Sequence, residues 1–246
     1  GTLGAATTTT DATATLHASS TTNDILLIHA WTRSTADTTV ITGFTEIAQV
    51  DTAIGSHRWF WQRHDGSEGT VTCDHNQSAD NYCQQFTFRG VITSGNPWDA
   101  LGTPENDPDD AGTNGIYTLT GITTASTNSM VLVMTGYMDN DTASVVMTST
   151  DPAAYTEVYT ESATGTDGSI AIGYELRPTI GATGTITVDY DIATSDGAGS
   201  LVLSLKPVPT TTFGDGTDPG NSTIAPEAAV TDIDKFSLVS NNVADT

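Results

Sequence analysis

Strand-like segments recur in the same order in the two halves of this sequence, and this repeat limits the fold more than any other feature. DILLIHAW, starting at Asp24, is answered by SMVLVMTG, starting at Ser129, and GFTEIAQV (43–50) is answered by AYTEVYTE (154–161). GSHRWFWQR, GTVTC and QQFTFRG are then answered by GSIAIGYEL, GTITV and GSLVLSLKP. The offset grows from roughly 105 to roughly 115 residues, as expected when loops differ in length and strands are kept.

Short apolar runs separated by turn residues predict about twelve β-strands and almost no helix. These strands are expected near 24–32, 39–50, 55–64, 68–73, 83–93, 116–121, 129–138, 143–149, 155–161, 168–177, 184–191 and 199–206. The predicted fold class is all-β: an antiparallel, jelly-roll-like β-sandwich built from two internal repeats, about 24–93 and 129–207. The repeats are expected to face each other as halves of one sandwich, with two separate small sandwiches as the alternative.

The two ends differ in composition from the sandwich region, 24–207. The Thr-rich segment 1–23 predicts an extended arm or edge strand. The Pro-, Gly- and Asp-rich segment 208–226 predicts a linker. Segment 227–246 holds one strand's worth of pattern, so it begins a further domain or is donated to a neighbouring subunit. Both ends lack a repeat partner, and pairing with another subunit or a disordered arm are the alternatives for them.

Acidic residues far outnumber basic ones: Asp plus Glu is 30, Lys plus Arg is 7, and the formal net charge is -23. Such a surface repels a phosphate backbone or an anionic membrane, so nucleic acid is excluded as a partner. No apolar run approaches the roughly 18 residues of a membrane span, so membrane insertion is not expected.

Solubility explains the acidic excess most simply, and capture of a hard cation such as Ca²⁺ by Asp-rich loops is the alternative. No cofactor other than calcium is suggested. The candidate calcium ligands lie between the repeats and in the linker: Glu105, Asp107, Asp109, Asp110, Asp215 and Asp218.

The two cysteines, Cys73 and Cys83, flank the polar stretch DHNQSADNY. They predict a disulfide closing a hairpin, and hence an oxidising, extracellular compartment, with two reduced cysteines as the alternative. Metal binding is less favoured because no CxxC or HxxxH spacing accompanies them. Three N-x-[ST] sequons, at Asn76, Asn140 and Asn221, are candidate glycosylation sites if the source makes such glycans.

Alternation along the strand at 55–64 places Trp59 and Trp61 on one face and Arg58, Phe60 and Gln62 on the other. The tryptophans align with apolar residues of the second repeat, so they are expected to point into the core. Arg58, Phe60 and Gln62 then form a candidate binding surface for sugar rings or a partner subunit. The alternative is a Phe60 ring covered by a loop or by the N-terminal arm.

No catalytic residues are predicted. Glu46 and Glu157 could be proposed as the carboxylates of a glycoside hydrolase, but they occupy equivalent places in the two repeats, which favours a shared structural role. A G-x-S-x-G elbow is absent, and the five histidines have no supporting motif.

The order DILLIHAW, GFTEIAQV, an aromatic- and Arg-rich strand ending in DGSEGTVT, and QFTFRGV resembles a β-sandwich family of phage tail and virion proteins and large bacterial surface proteins. The resemblance covers about 24–207 and implies that Phe44 plugs the core and that RHDGSEG (63–69) forms a turn. It implies a non-enzymatic structural or adhesive protein that assembles with itself or with other surface proteins. A carbohydrate-binding module is the alternative.

Overall fold

A computed structural model describes residues 11–77, 79–107, 115–137, 145–151, 153–162, 168–190 and 197–209. Within these ranges the regular elements are all β-strands. No helix occurs there that could cross a membrane. The strands are β1 (Asp11–Thr15), β2 (Ile25–Thr32), β3 (Thr45–Asp51), β4 (Ser56–Arg63), β5 (Thr70–Asp74), β6 (Asn81–Phe88), β7 (Trp98–Leu101), β8 (Glu105–Asp107), β9 (Ile116–Leu119), β10 (Ser129–Tyr137), β11 (Val146–Ser149), β12 (Thr156–Ser162), β13 (Ser169–Arg177), β14 (Ile186–Asp189) and β15 (Ala198–Leu205).

Four antiparallel sheets arise from these strands. The first inner sheet has the order β3-β4-β2-β6, and the second inner sheet has the order β12-β13-β10-β15-β7, with β8 also paired to β15. The first outer sheet is the pair β1-β5, and the second outer sheet is β11-β14-β9. The prediction of an all-β antiparallel sandwich is confirmed, whereas the jelly-roll connection stays a prediction.

Three hydrophobic clusters separate the four sheets. The central cluster lies between the two inner sheets and contains Trp31, Trp59 and Phe86 from one and Leu132 and Leu203 from the other. A second cluster lies between the second inner and second outer sheets, and a third between the first inner and first outer sheets. Every residue of β2, β6, β10 and β15 is therefore buried. Burial on both faces explains the largely apolar sequences of β2, β10 and β15, whereas β6 also buries polar residues, among them Gln84 and Gln85.

The strands aligned by sequence occupy the same positions in their sheets. The order β3-β4-β2-β6 in one half has its counterpart in β12-β13-β10-β15, and β5-β1 has its counterpart in β14-β9. A register shift falls between Glu46 and Ala48 in β3 and between Glu157 and Tyr159 in β12. Within the described residues the outer sheets differ, because the second contains a third strand, β11, and the first does not.

Three strands were not predicted as separate elements: β1, β7 and β8. Strand β1 pairs with β5 of its own chain, from Asp11 opposite Asp74 to Thr15 opposite Thr70. Over Asp11–Thr15 the N-terminal segment is thus an edge strand, one of its two predicted forms, and β5 of the same chain supplies its backbone hydrogen bonds. The segments 1–10 and 210–246 lie outside the described residues.

Cys73 and Cys83 form the predicted disulfide, with an S–S distance of 2.02 Å and a Cα–Cα distance of 5.9 Å. The bond does not close a hairpin, because β5 and β6 belong to different sheets. It ties the first outer sheet to the first inner sheet through the third cluster, where both cysteines are buried.

Candidate functional site

A polar groove of about 520 Å³ lies beside β5 in the first outer sheet. One wall is the edge of β5, and the other is the turn that precedes β3. The groove is lined by Asp11, Val40, Thr42, Gly43, Phe44, Gln62, Ser67, Glu68, Gly69, Thr70, Val71, Thr72 and Asp74. Its volume falls in the range of small-ligand sites in proteins.

A tight turn opens this groove. Val40 pairs with Asp74 through two backbone hydrogen bonds of 2.9 and 3.0 Å. The Phe44 N–H then donates to the Ile41 carbonyl at 3.1 Å, and Gly43 takes a φ of 86°, which suits glycine at the third position of a type II turn. Because Ile41 points into the third cluster, the chain leaves β5 after a single bridge.

Glu68 organises the polar end of the groove. Gln62 Nε2 donates to Glu68 Oε1 at 2.6 Å, and His64 Nδ1 contacts Glu68 Oε2. The Asp65 N–H also donates to Oε2, at 3.1 Å. With Asp11 and Asp74 also in the lining, the groove is acidic and rich in hydrogen-bonding groups.

The predicted binding surface is only partly formed. Phe60 is 3% exposed and belongs to the third cluster, so an exposed aromatic platform there is wrong, because β1 and β5 cover that face of the first inner sheet. Trp59 lies in the central cluster and Trp61 packs against it, as predicted. Of the three predicted ligand-binding residues, Gln62 alone lines the groove.

Arg58 holds a loop rather than an open surface. Its side chain is buried, its Nη2 donates to the Asp37 carbonyl at 2.5 Å, and its Nη1 contacts Gln49 and lies 3.4 Å from Glu46. Its position is fixed by structural partners on two neighbouring segments.

Near the disulfide, Asp37 and His75 form a buried hydrogen-bonded pair. His75 Nδ1 lies 2.9 Å from Asp37 Oδ2 and 2.9 Å from Thr39 Oγ1, while Nε2 faces the Tyr82 carbonyl at 3.3 Å. Burial raises the pKa of Asp37, but the hydrogen bonds from His75 and Thr39 outweigh it and leave this pKa below its ordinary value. The pair fastens the loop after β2 to the loop after β5.

A second buried pair, His29 and His57, lies between the inner sheets. His29 Nε2 and His57 Nδ1 are 3.2 Å apart, and Trp59 stacks on His29 with ring centroids 4.7 Å apart. Burial lowers the pKa of His57 to about 3, and burial followed by the nearby His57 lowers the pKa of His29 well below its ordinary value.

The second inner sheet accommodates these two rings with paired glycines. Gly136 and Gly199 are register partners on β10 and β15. A Cβ at Gly136 would lie 2.8 Å from His29 and 2.9 Å from His57, and one at Gly199 would lie 2.4 Å from His57. The imidazoles are therefore enclosed by backbone and tryptophan, away from the surface.

Of the six predicted calcium ligands, only Glu105 and Asp107 lie within the described residues. Glu105 accepts a hydrogen bond from the Thr120 N–H at 2.7 Å, and Asp107 ends β8. Asp109, Asp110, Asp215 and Asp218 lie outside the described residues. Among the residues that are described, no group of three or more His, Cys, Asp or Glu could hold a metal ion.

Of the three sequons, only the one at Asn76 begins within a described range. Asn76 is exposed, and its Oδ1 accepts a hydrogen bond from the Thr38 N–H at 3.0 Å. Asn140 and Asn221 lie outside the described residues.

No protein-family model, curated protein or solved structure matches this chain. The groove beside β5 is accordingly identified from its own geometry. Sequence reasoning missed it, although the turn residues of ITGF (41–44) signal a break in strand pairing.

The buried histidines predict acid sensitivity. In the unfolded chain a histidine binds a proton near its ordinary pKa of 6.5, whereas folded His57 does so only near 3. Stability should therefore fall as pH drops below 6.5, and His57 alone should account for about 2 kcal/mol by about pH 5. We expect His57→Asn to reduce this loss of stability on acidification, measured by urea unfolding at about pH 6.5 and about pH 5. His17→Asn, in the partly exposed turn after β1, is the control, and an unchanged pH dependence in His57→Asn would contradict the assignment.

Proposed function

We propose that this chain is a non-enzymatic structural or adhesive building block of an extracellular surface or virion, which assembles with itself or with other surface proteins. One observation supports this most: within the described residues of 11–209, β2, β6, β10 and β15 are buried along their whole length, so the described strands form a complete sandwich core. Beyond the predicted linker, the sequence predicts one further strand at Ile233–Val239. Such a segment is suited to pair with a neighbouring copy.

The proposal treats the two halves as copies of one unit. The matching strand orders and the bulges at the same place in β3 and β12 support a duplication. In this interpretation the contact between the inner sheets is itself an association of two units through their β-sheet faces.

The disulfide and the net charge both support an extracellular location for the protein. A buried disulfide fits an oxidising compartment, and a net charge of -23 favours solubility. Calcium binding by the Asp-rich segments and glycosylation at the sequons remain predictions within this proposal.

Carbohydrate binding is the second candidate, and the groove beside β5 favours it. Hydroxyl, amide and carboxylate groups line the groove together with the aromatic Phe44. Polar groups beside an aromatic ring match the needs of a sugar, whose faces are apolar and whose edges carry hydroxyls.

Assembly should depend on the C-terminal segment. We expect the full chain to form oligomers whose size grows with concentration in sedimentation velocity, and a chain ending at Pro209, which keeps all fifteen described strands, to stay monomeric. Phe236→Asp in the full chain should act like the truncation. A monomeric full chain, or equal assembly without the segment, would contradict the proposal.

Carbohydrate binding makes a different prediction. On a glycan array, one class of sugar should bind reproducibly and lose at least about tenfold in affinity in Phe44→Ala. Val146→Ala, an exposed apolar change on the second outer sheet, is the matched control. An array without binding removes this candidate.

A further inference from the structure

We propose that the groove beside β5 is the acceptor site for the C-terminal segment Ile233–Val239, which adds to β5 as a third strand of the first outer sheet. The groove supplies the acceptor edge, and the proposed function supplies the source of the segment, a neighbouring copy. Neither the jelly-roll expectation nor the predicted ligand residues identify this edge.

The second outer sheet is a template for the added strand. There β14 has β9 on one edge and β11 on the other, with Val146 opposite Asp189 and Thr148 opposite Thr187. Strand β5 aligns with β14 in sequence and has β1 in the place of β9. On its other edge the described residues contribute only the bridge between Val40 and Asp74. The position equivalent to β11 is therefore vacant beyond that bridge in the described structure.

The open edge presents backbone groups. In an antiparallel ladder, alternate residues direct their N–H and C=O to opposite edges. Asp74 bonds Val40 on the groove side, and the Gly69 carbonyl accepts from the Leu16 N–H on the β1 side. Thr70 and Thr72 therefore direct their N–H and C=O groups toward the groove. Such a row is a template for an incoming strand.

The loop between β2 and β3 does not continue along this edge of β5 as a strand, and the bulk of Phe60 offers a reason. In the second half, a Cβ at Gly173 would lie 2.6 Å from Met147 Sδ, so Met147 of β11 packs directly over that glycine. The aligned residue in the first half is Phe60, whose side chain already occupies the third cluster. With this volume filled, a strand entering the groove is held mainly by its backbone and needs no large inward side chain.

The C-terminal segment has the reach and the strand-forming residues for this role. The chain continues from Thr210 to Thr246, and residues 210–232 could span up to roughly 75 Å if fully extended. The segment IDKFSLV contains strand-forming residues, and Asp234 and Lys235 leave it without net charge. Asp11, Glu68 and Asp74 in the groove lining offer carboxylates to Lys235. A sugar would leave the backbone edge of Thr70 and Thr72 without strand pairing, so the edge favours a peptide.

Two proline variants of the full chain test the acceptor edge. Thr72→Pro removes an N–H directed into the groove, and its register partner Thr13 allows the matched change Thr13→Pro on the opposite edge of the same outer sheet. We expect Thr72→Pro to raise the concentration needed for assembly by at least about tenfold and Thr13→Pro to leave it unchanged. Equal assembly by the two variants would overturn the proposed site.

Hydrogen exchange tests the site without changing the groove. In the assembled full chain, the Thr72 amide should exchange at least about tenfold more slowly than in Phe236→Asp. Equal exchange overturns the acceptor site, as does groove occupancy by a glycan that is independent of the segment. If protection is present in a monomeric full chain, the site stands and assembly fails. If truncation abolishes assembly while Thr72→Pro does not, assembly stands and the site fails.

Discussion

The seating of two imidazole rings on a pair of glycines is the contact on which the arrangement of sheets depends. His29 and His57 project from the first inner sheet onto Gly136 and Gly199 of the second. The rings stack with Trp31 and Trp59, so at this contact the first inner sheet presents aromatic rings and the second presents the backbone of two glycines. Neutral imidazoles fit this space, and charged ones would be desolvated without an opposing charge.

The outer sheets show how similar strand orders lead to different surfaces. At one pair of aligned positions, Phe60 fills the third cluster, whereas Gly173 leaves room for Met147. A large side chain beneath the sheet accompanies a turn away from β5, and a small one accompanies a complete third strand. In the described structure, the large Phe60 side chain thus accompanies an edge of β5 with a single bridge, and the small Gly173 accompanies an edge of β14 that pairs with β11.

Much of the fold could be predicted from the sequence because strand burial leaves a periodic record. The twelve predicted strands correspond to twelve observed ones, and alternation placed Trp59 and Phe60 on opposite faces correctly. Strand β1 was not predicted as a separate strand because its inward residues, Ala12 and Ala14, are too small to give a clear apolar alternation. Strand β1 helps to cover Phe60, in agreement with the alternative that the N-terminal arm covers this ring.

The groove and the histidine pair could not be predicted from local patterns. The groove exists because the chain turns away from β5 after one bridge, which a local pattern does not show. The histidine pair requires glycines that lie roughly 80 to 170 residues away in sequence, and their spacing carries no local signal. Both result from the way in which the sheets stack. Hydrophobic periodicity indicates which residues of one sheet are buried, but not which residues of another sheet lie against them.

A double-mutant cycle between His57 and Gly199 tests the central contact most directly. If the ring sits on the glycine backbone, Gly199→Ala should destabilise the parent protein by about 1 to 3 kcal/mol through overpacking. In a His57→Ala background the added methyl group should fall into vacated space, giving a coupling energy of at least about 1 kcal/mol in urea unfolding. Effects of the two substitutions that add to within about 0.5 kcal/mol would contradict the account.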